Sequence, residues 1–310
     1  MQKIFIIFAV ITLSLTAEAQ MKTRNLQIIA DEQPNSPLVE TKNDSAKTTN
    51  FVELNKLGVQ KVLVEKDYNQ AIEFFSKAIE IAPDCLICRL NLGRSFLVLE
   101  KYDDAIKIFN ELGFTNPNYA DVQASLGETF IRKEMYQESL PYFRQALKLN
   151  PKDAITLCNY AVSLNMVKKY DDALQNLDKA IKLQPDFAEA FSNRGYTLYL
   201  LGRYKNALES LKKAETLDPN IAQIHNNLGV VLEQLGKKTE AQKQYLEAIR
   251  LKNDYGEAIC NLALSYLADG NRDAAYQQLK LLEKFDLKIA EQLRGAIWSK
   301  YVVDVSKVKN

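Results

Sequence analysis

Apolar residues between Phe51 and Leu287 fall at helical spacing, in short stripes that come in pairs. Leu157, Tyr160, Ala161 and Leu164 make one stripe; Ala173, Leu174, Leu177, Ala180 and Ile181 make the next. Residues three and four apart share one helix face, so each stripe predicts an amphipathic helix. The break between these two, Lys168-Lys169-Tyr170-Asp171, is polar, and one unit later it contains Gly202. The chain offers no strands. The pattern predicts an all-α fold built from helical hairpins.

Prolines punctuate the pairs. Pro83, Pro117, Pro151, Pro185 and Pro219 stand 34 residues apart, so the chain is a repeat protein. Numbered from the third residue after a proline, position 8 reads Gly93, Gly127, Ala161, Gly195, Gly229 and Ala263. Position 17 reads Tyr68, Tyr102, Tyr136, Tyr170 and Tyr204; position 20 reads Ala71, Ala105, Ser139, Ala173, Ala207, Ala241 and Ala275. Small residues at positions 8 and 20 let the two helices of a pair approach and interlock. A proline cannot continue the helix before it, so it ends one pair and admits the next. One hairpin cannot bury its own apolar face, whereas stacked hairpins bury a continuous one.

These residues carry a family resemblance. The series Leu92-Gly93, Phe96, Tyr102, Ala105, Phe109, Pro117, with its equivalents, resembles the tetratricopeptide repeat. The resemblance implies a right-handed solenoid of about seven helix-turn-helix units within 51–287: 52–85, 86–119, 120–153, 154–187, 188–221, 222–255 and 256–287. The ends depart from the pattern. The first unit has Val59 where the small residue of position 8 belongs, and Asn253 and Leu287 replace the last two prolines. Position 17 becomes Lys238 and Arg272. Beyond the last unit, in 288–310, Ile289, Ala290, Leu293 and Ile297 form an amphipathic stripe that predicts a capping helix over the exposed end of the core.

Upstream of the repeats the pattern differs. Lys3, the apolar run Ile4–Leu15 and Ala17-Glu18-Ala19 make residues 1–19 an export signal peptide. The run is short for a membrane span, which takes about 20 apolar residues, and no second segment is long enough. Residues 20–50 turn polar and are expected to form a flexible leader. The mature chain is therefore expected in the periplasm or medium, with no stable membrane span. A formal charge of +1 provides no basic field to attract nucleic acid.

Catalytic chemistry finds little support. Cys85 and Cys88 form a C-x-x-C pair at a helix start, a spacing suited to a disulfide, a dithiol site or half a zinc site. Zinc needs four ligands, and the only histidine, His225, lies four units away. Unlinked structural cysteines and a local disulfide stay open as readings. Cys158 and Cys260 share position 5 of units too far apart to bridge. His225 reads as a packed helix residue, and Asp103-Asp104 and Asp171-Asp172 complement the positive ends of helices. No metal set, phosphate loop or cofactor motif is present in the sequence, and the expectation is a non-enzyme.

Position 6 is different. It reads Asn91, Ser125, Asn159, Asn193, Asn227 and Asn261, a column that helix propensity does not explain. The family resemblance places it on the concave wall, similar to the asparagine ladder of the protein O-linked N-acetylglucosamine transferases, which implies recognition of peptide backbone. Met166, Tyr196 and Tyr199 add apolar and aromatic lining in the same reading, and Glu189, Glu233 and Glu257 an acidic wall. The two-carboxylate clamp of chaperone-binding relatives is not intact, since Gln60, Asp121 and Ser125 depart from it. The sequence thus reads as an exported scaffold that binds a peptide or partner segment in a concave groove. Two other classes remain: an envelope-assembly component using outer surfaces, and a dithiol redox protein at Cys85/Cys88.

Overall fold

The computed structural model describes residues 45–305. The export signal and the leader as far as residue 44 lie outside the described residues. The described chain is helical throughout and forms two compact units, 45–169 and 170–305. In the N-terminal unit, α1 (Ser45–Gln60) runs into a π-helical turn (Lys61–Glu65) and is followed by α2 (Tyr68–Ile81) and α3 (Leu86–Val98). Then come α4 (Tyr102–Thr115), α5 (Ala120–Arg132), α6 (Tyr136–Leu149) and α7 (Ala154–Met166). The C-terminal unit holds α8 (Tyr170–Leu183), α9 (Ala188–Leu200), α10 (Tyr204–Leu217) and α11 (Ala222–Gln234). It closes with α12 (Lys238–Leu251), α13 (Gly256–Ala268), α14 (Arg272–Leu282) and α15 (Leu287–Val305). The leader was expected to reach residue 50, but its last six residues are the first turns of α1.

The glycine column is explained by what faces it. A Cβ on Gly93 would stand 2.5 Å from the Phe109 ring, and one on Gly127 would stand 2.8 Å from the Phe143 ring. On Gly229 it would meet Tyr245 at 2.3 Å. Each ring is buried, so the second helix of the pair lies against the backbone of the first. Where the column carries Ala263, the facing residue is the smaller Leu279.

The first repeat corrects the expected register. Gly58, not Val59, occupies the interlocking position: its Cβ would lie 2.5 Å from Phe75. The repeat therefore holds one extra residue between this glycine and Tyr68. The π-helical turn Lys61–Glu65 absorbs it, as such turns do inside α-helices.

Between the helices of each pair the chain turns through one left-handed residue. The amide three residues past the helix then reaches back five residues, as in Lys101 N–H to Phe96 O at 2.9 Å and Arg203 N–H to Leu198 O at 2.8 Å. This is the Schellman closure of a helix C-terminus. In the first repeat the matching bond, Asp67 N–H to Lys61 O, spans six residues, which is the insertion again. Across the prolines, short bonds such as Tyr119 N–H to Asn116 O (3.1 Å) and Phe187 N–H to Gln184 O (3.2 Å) turn one pair into the next. At the far end of the C-terminal unit, Ala290, Leu293 and Ile297 of α15 are buried against Ile259, Leu279 and Leu282. α15 covers the apolar face that the last hairpin would otherwise leave open.

Candidate functional site

The asparagine column lies deeper than an open wall would place it. Asn91, Asn159, Asn193, Asn227 and Asn261 are 2%, 3%, 1%, 3% and 0% exposed. Four of the amides donate to the neighbouring repeat. In the N-terminal unit Asn91 Nδ2 reaches Asn55 Oδ1 at 3.2 Å, and Asn159 Nδ2 reaches Glu128 Oε1 at 3.0 Å. In the C-terminal unit Asn227 Nδ2 reaches Ser192 Oγ at 3.4 Å, and Asn261 Nδ2 reaches Asn226 Oδ1 at 2.9 Å. Three of these acceptors stand at position 5 once the first repeat is re-registered. The amide N–H groups thus join successive hairpins, and a buried amide needs such a partner. The oxygens of Asn91 and Asn261 are also buried and have no protein donor.

A second polar column supports the first and escaped sequence reasoning. The position 10 hydroxyls of Ser95, Thr129 and Thr197 donate to the carbonyls of Asn91, Ser125 and Asn193, four residues back, at 2.9, 2.7 and 2.8 Å. The signal was present, since Ser95, Thr129, Ser163, Thr197 and Ser265 recur at the repeat period. Arg94 is another departure. It is 1% exposed, its Nη2 pairs with Asp121 at 3.1 Å, and Nε and Nη1 have no partner.

In the C-terminal unit the structure brings three of the predicted residues together. Tyr196, Tyr199 and Asn227 meet Leu211, Val230 and Val231 around a narrow niche with no room for a water molecule. The Tyr196 and Tyr199 rings stack at 6.4 Å, and Tyr204 lies 5.8 Å beyond Tyr199. Burial raises the Tyr199 hydroxyl pKa, with the neighbouring Tyr204 adding to it. Asn91, Asn159 and Met166 belong to the N-terminal unit, where Met166 is half-buried at the end of α7. Glu233 is half-buried as well and accepts from Ser265 Oγ; burial raises its carboxyl pKa.

The four cysteines divide evenly. Cys85 and Cys88 are joined by a disulfide across the first turn of α3, with Cα atoms 5.3 Å apart. The Cys85 sulfur also caps that helix, accepting from the Cys88 N–H at 3.2 Å. Cys158 and Cys260 are buried thiols. Burial, and then the nearby Glu257 and Asp286 charges, push the Cys260 thiol up to about 12. His225 is packed between helices, with Nδ1 2.7 Å from Gln244 Oε1 and Nε2 2.8 Å from Pro219 O. Among the described residues no group of three His, Cys, Asp or Glu could hold a metal ion. No helix among them is long and apolar enough to cross a membrane.

Comparison with known proteins bears on the fold. Tetratricopeptide-repeat models match residues 63–128, 120–153, 142–175 and 222–255, and a TPR-repeat model matches 168–202 and 195–236. Together these matches run without a gap from 63 to 255. No curated protein matches the sequence. A tetratricopeptide repeat protein from Parabacteroides merdae superposes with a TM-score of 0.66 over 81% of this chain and 99% of its own, at 14% identity. The APC/C hetero-tetramer Cut9-Hcn1 gives 0.64 at 18% identity, covering 84% of this chain and 51% of that one. Pseudomonas aeruginosa pilF gives 0.57 at 19% identity, covering 69% and 98%. At these identities the likeness is one of fold.

Proposed function

Since the chain belongs to the tetratricopeptide-repeat family, we propose that it is an exported scaffold that holds extended segments of a partner protein against the asparagine-bearing helices of each unit. Proteins built from this repeat are typically non-catalytic binders of other proteins. The observation that carries the reading is the pair of unpartnered amide oxygens on Asn91 and Asn261. Their N–H groups are committed to the neighbouring repeat, which fixes each amide. The oxygens are closed to solvent, so a ligand N–H satisfies them only where the adjoining helices part to admit it. A peptide backbone supplies such donors at every residue. Tyr196 and Tyr199 would add rigid aromatic contacts beside Asn227. Export rests on Lys3, the Ile4–Leu15 run and Ala17-Glu18-Ala19, and implies a mature N-terminus at Gln20.

The test separates the ligand-facing oxygen from the inter-repeat bond. A partner captured by the mature chain from its native envelope or medium is titrated against Asn91→Ala and Asn261→Ala. Each should weaken binding about tenfold, the worth of one net hydrogen bond near 1.4 kcal/mol. Asn55→Ala and Asn226→Ala break the same inter-repeat bonds but leave the oxygens in place. These should lower the melting temperature comparably but weaken binding less than the asparagine-column variants do. Equal loss of binding in all four variants would make the column scaffold and nothing more.

A further inference from the structure

The hairpin α9–α10 breaks the repeat pattern at three places that converge on one cleft. Position 7 is an apolar filling residue in the other repeats after the first: Leu92, Leu126, Tyr160, Leu228 and Leu262. All but the tyrosine are buried. In this repeat position 7 is Arg194, which is only half-buried, and its guanidinium is held near the surface. Nε donates to Asp178 Oδ1 at 2.7 Å, and Nη1 donates to Ser210 Oγ at 2.6 Å. Position 19 is acidic in four other repeats, as Asp104, Glu138, Asp172 and Glu240, but here it is the neutral Asn206. Positions 25 and 26 are Lys212 and Lys213, both exposed, and neither has an ion-pair partner among the described residues.

These residues line an open cleft of about 470 Å³ with Phe191 in one wall. Its charges are Arg194, Lys212 and Lys213 against Glu209 in the lining and Asp178, which pairs with Arg194, so the two lysines carry the excess positive charge. The whole chain carries only +1, so this is a local concentration of charge and not a share of a general field. We infer that the α9–α10 cleft is a second docking site, separate from the asparagine column, for an acidic segment of a partner protein. The carboxylates of the segment take Lys212 and Lys213, and an apolar side chain rests on Phe191. Arg194, already anchored by Asp178 and Ser210, presents a fixed cationic wall, which costs the complex little ordering entropy. A small inorganic anion would fill a fraction of the cleft and leave Phe191 unused, which favours a polypeptide ligand.

The probe is a short labelled peptide of glutamates with one central leucine, followed by fluorescence anisotropy on the full mature chain at low ionic strength. Lys212→Glu with Lys213→Glu should lower its affinity at least tenfold. Arg194→Leu restores the apolar filling of the other repeats; it should raise or preserve the melting temperature and still lower affinity several-fold. Lys179→Glu with Lys182→Glu makes the same charge change on α8 and should leave binding as it was. Equal losses from the two double reversals would mean general attraction and overturn the site. So would unchanged affinity in Arg194→Leu, or competition by inorganic phosphate as effective as that of unlabelled peptide. The asparagine variants should bind this peptide normally, so either site can fail without the other.

Discussion

The two units solve one problem, the turn inside each hairpin, with different residues. In the C-terminal unit the left-handed residue is Gly202, Gly236 or Gly270, at φ of 73°, 74° and 80°. The N-terminal unit places Lys66, Glu100, Glu134 and Lys168 there, at 54°, 59°, 58° and 64°. An L residue in this region costs about 1–2 kcal/mol, because its Cβ crowds the following carbonyl. The hydrogen bonds closing the turn are the same length in both units: Met135 N–H to Phe130 O at 2.8 Å and Lys237 N–H to Leu232 O at 2.9 Å. Geometry is therefore imposed by the stacking helices and not by the turn residue. The N-terminal unit carries strain at each turn that the C-terminal unit avoids.

Glycine has two roles in this chain, and a mutation series can separate them. The largest effect is expected at Gly229→Ala. Its new Cβ would stand 2.3 Å from a fully buried Tyr245 ring that has nowhere to move. Overpacking of this kind costs about 2–3 kcal/mol, and chemical denaturation should show it. Gly93→Ala, against Phe109, should behave alike in the N-terminal unit. Equal, small losses at both would mean that the helices separate easily and the interlocked column is not what sets their approach.

Exchanging the turn residues should move the two units in opposite directions. Glu100→Gly and Glu134→Gly relieve the left-handed strain but loosen the unfolded chain, for a net gain of about 0.5–1 kcal/mol each. Gly202→Ala and Gly236→Ala should lose about 1 kcal/mol each, although open space surrounds both positions. Denaturation midpoints at constant slope measure both shifts. No gain at Glu100 or Glu134 would mean that their side chains make compensating contacts.

The same comparison explains what the sequence disclosed. Positions 8, 17 and 20 were legible because close helix approach admits few residue types, so Gly93, Tyr102 and Ala105 recur. The left-handed position left no trace in the N-terminal unit, since Lys66 and Glu100 resemble any exposed polar residues. The slip in the first repeat was hidden because Gly58 and Val59 are adjacent, and only the π-helical turn and the longer Asp67–Lys61 bond expose it. The asparagine column was legible as a column. Its direction was not, because no spacing rule says whether an amide faces a neighbour or a ligand.

At neutral pH thiol chemistry gives the smallest effect, and it draws a clean contrast between the units. Ellman's reagent should find no fast-reacting thiol in the native chain, two after denaturation, and four after denaturation with reductant. This follows from the disulfide Cys85–Cys88 and the buried thiols Cys158 and Cys260. Cys260 also links stability to pH. Its folded pKa of about 12 lies above the ordinary value of 9.0, so the folded state keeps a proton that the unfolded chain releases. Stability is therefore full below about pH 9 and falls as pH rises from there toward 12, by about 1.4 kcal/mol per pH unit for one such group. Cys260→Ala should remove that slope at a small cost at neutral pH, where a buried thiol behaves as a small apolar group. The N-terminal unit has its counterpart in Tyr136, pushed from 10.0 to about 12 chiefly by burial, so its loss should begin roughly one pH unit later. Melting curves of the parent, Cys260→Ala and Tyr136→Phe, taken at neutral pH and again at pH 10, decide the matter. At pH 10 the cysteine variant should gain on the parent and the tyrosine variant should hardly change. A pH 10 curve indifferent to Cys260→Ala would show that the thiol does not keep its proton when folded.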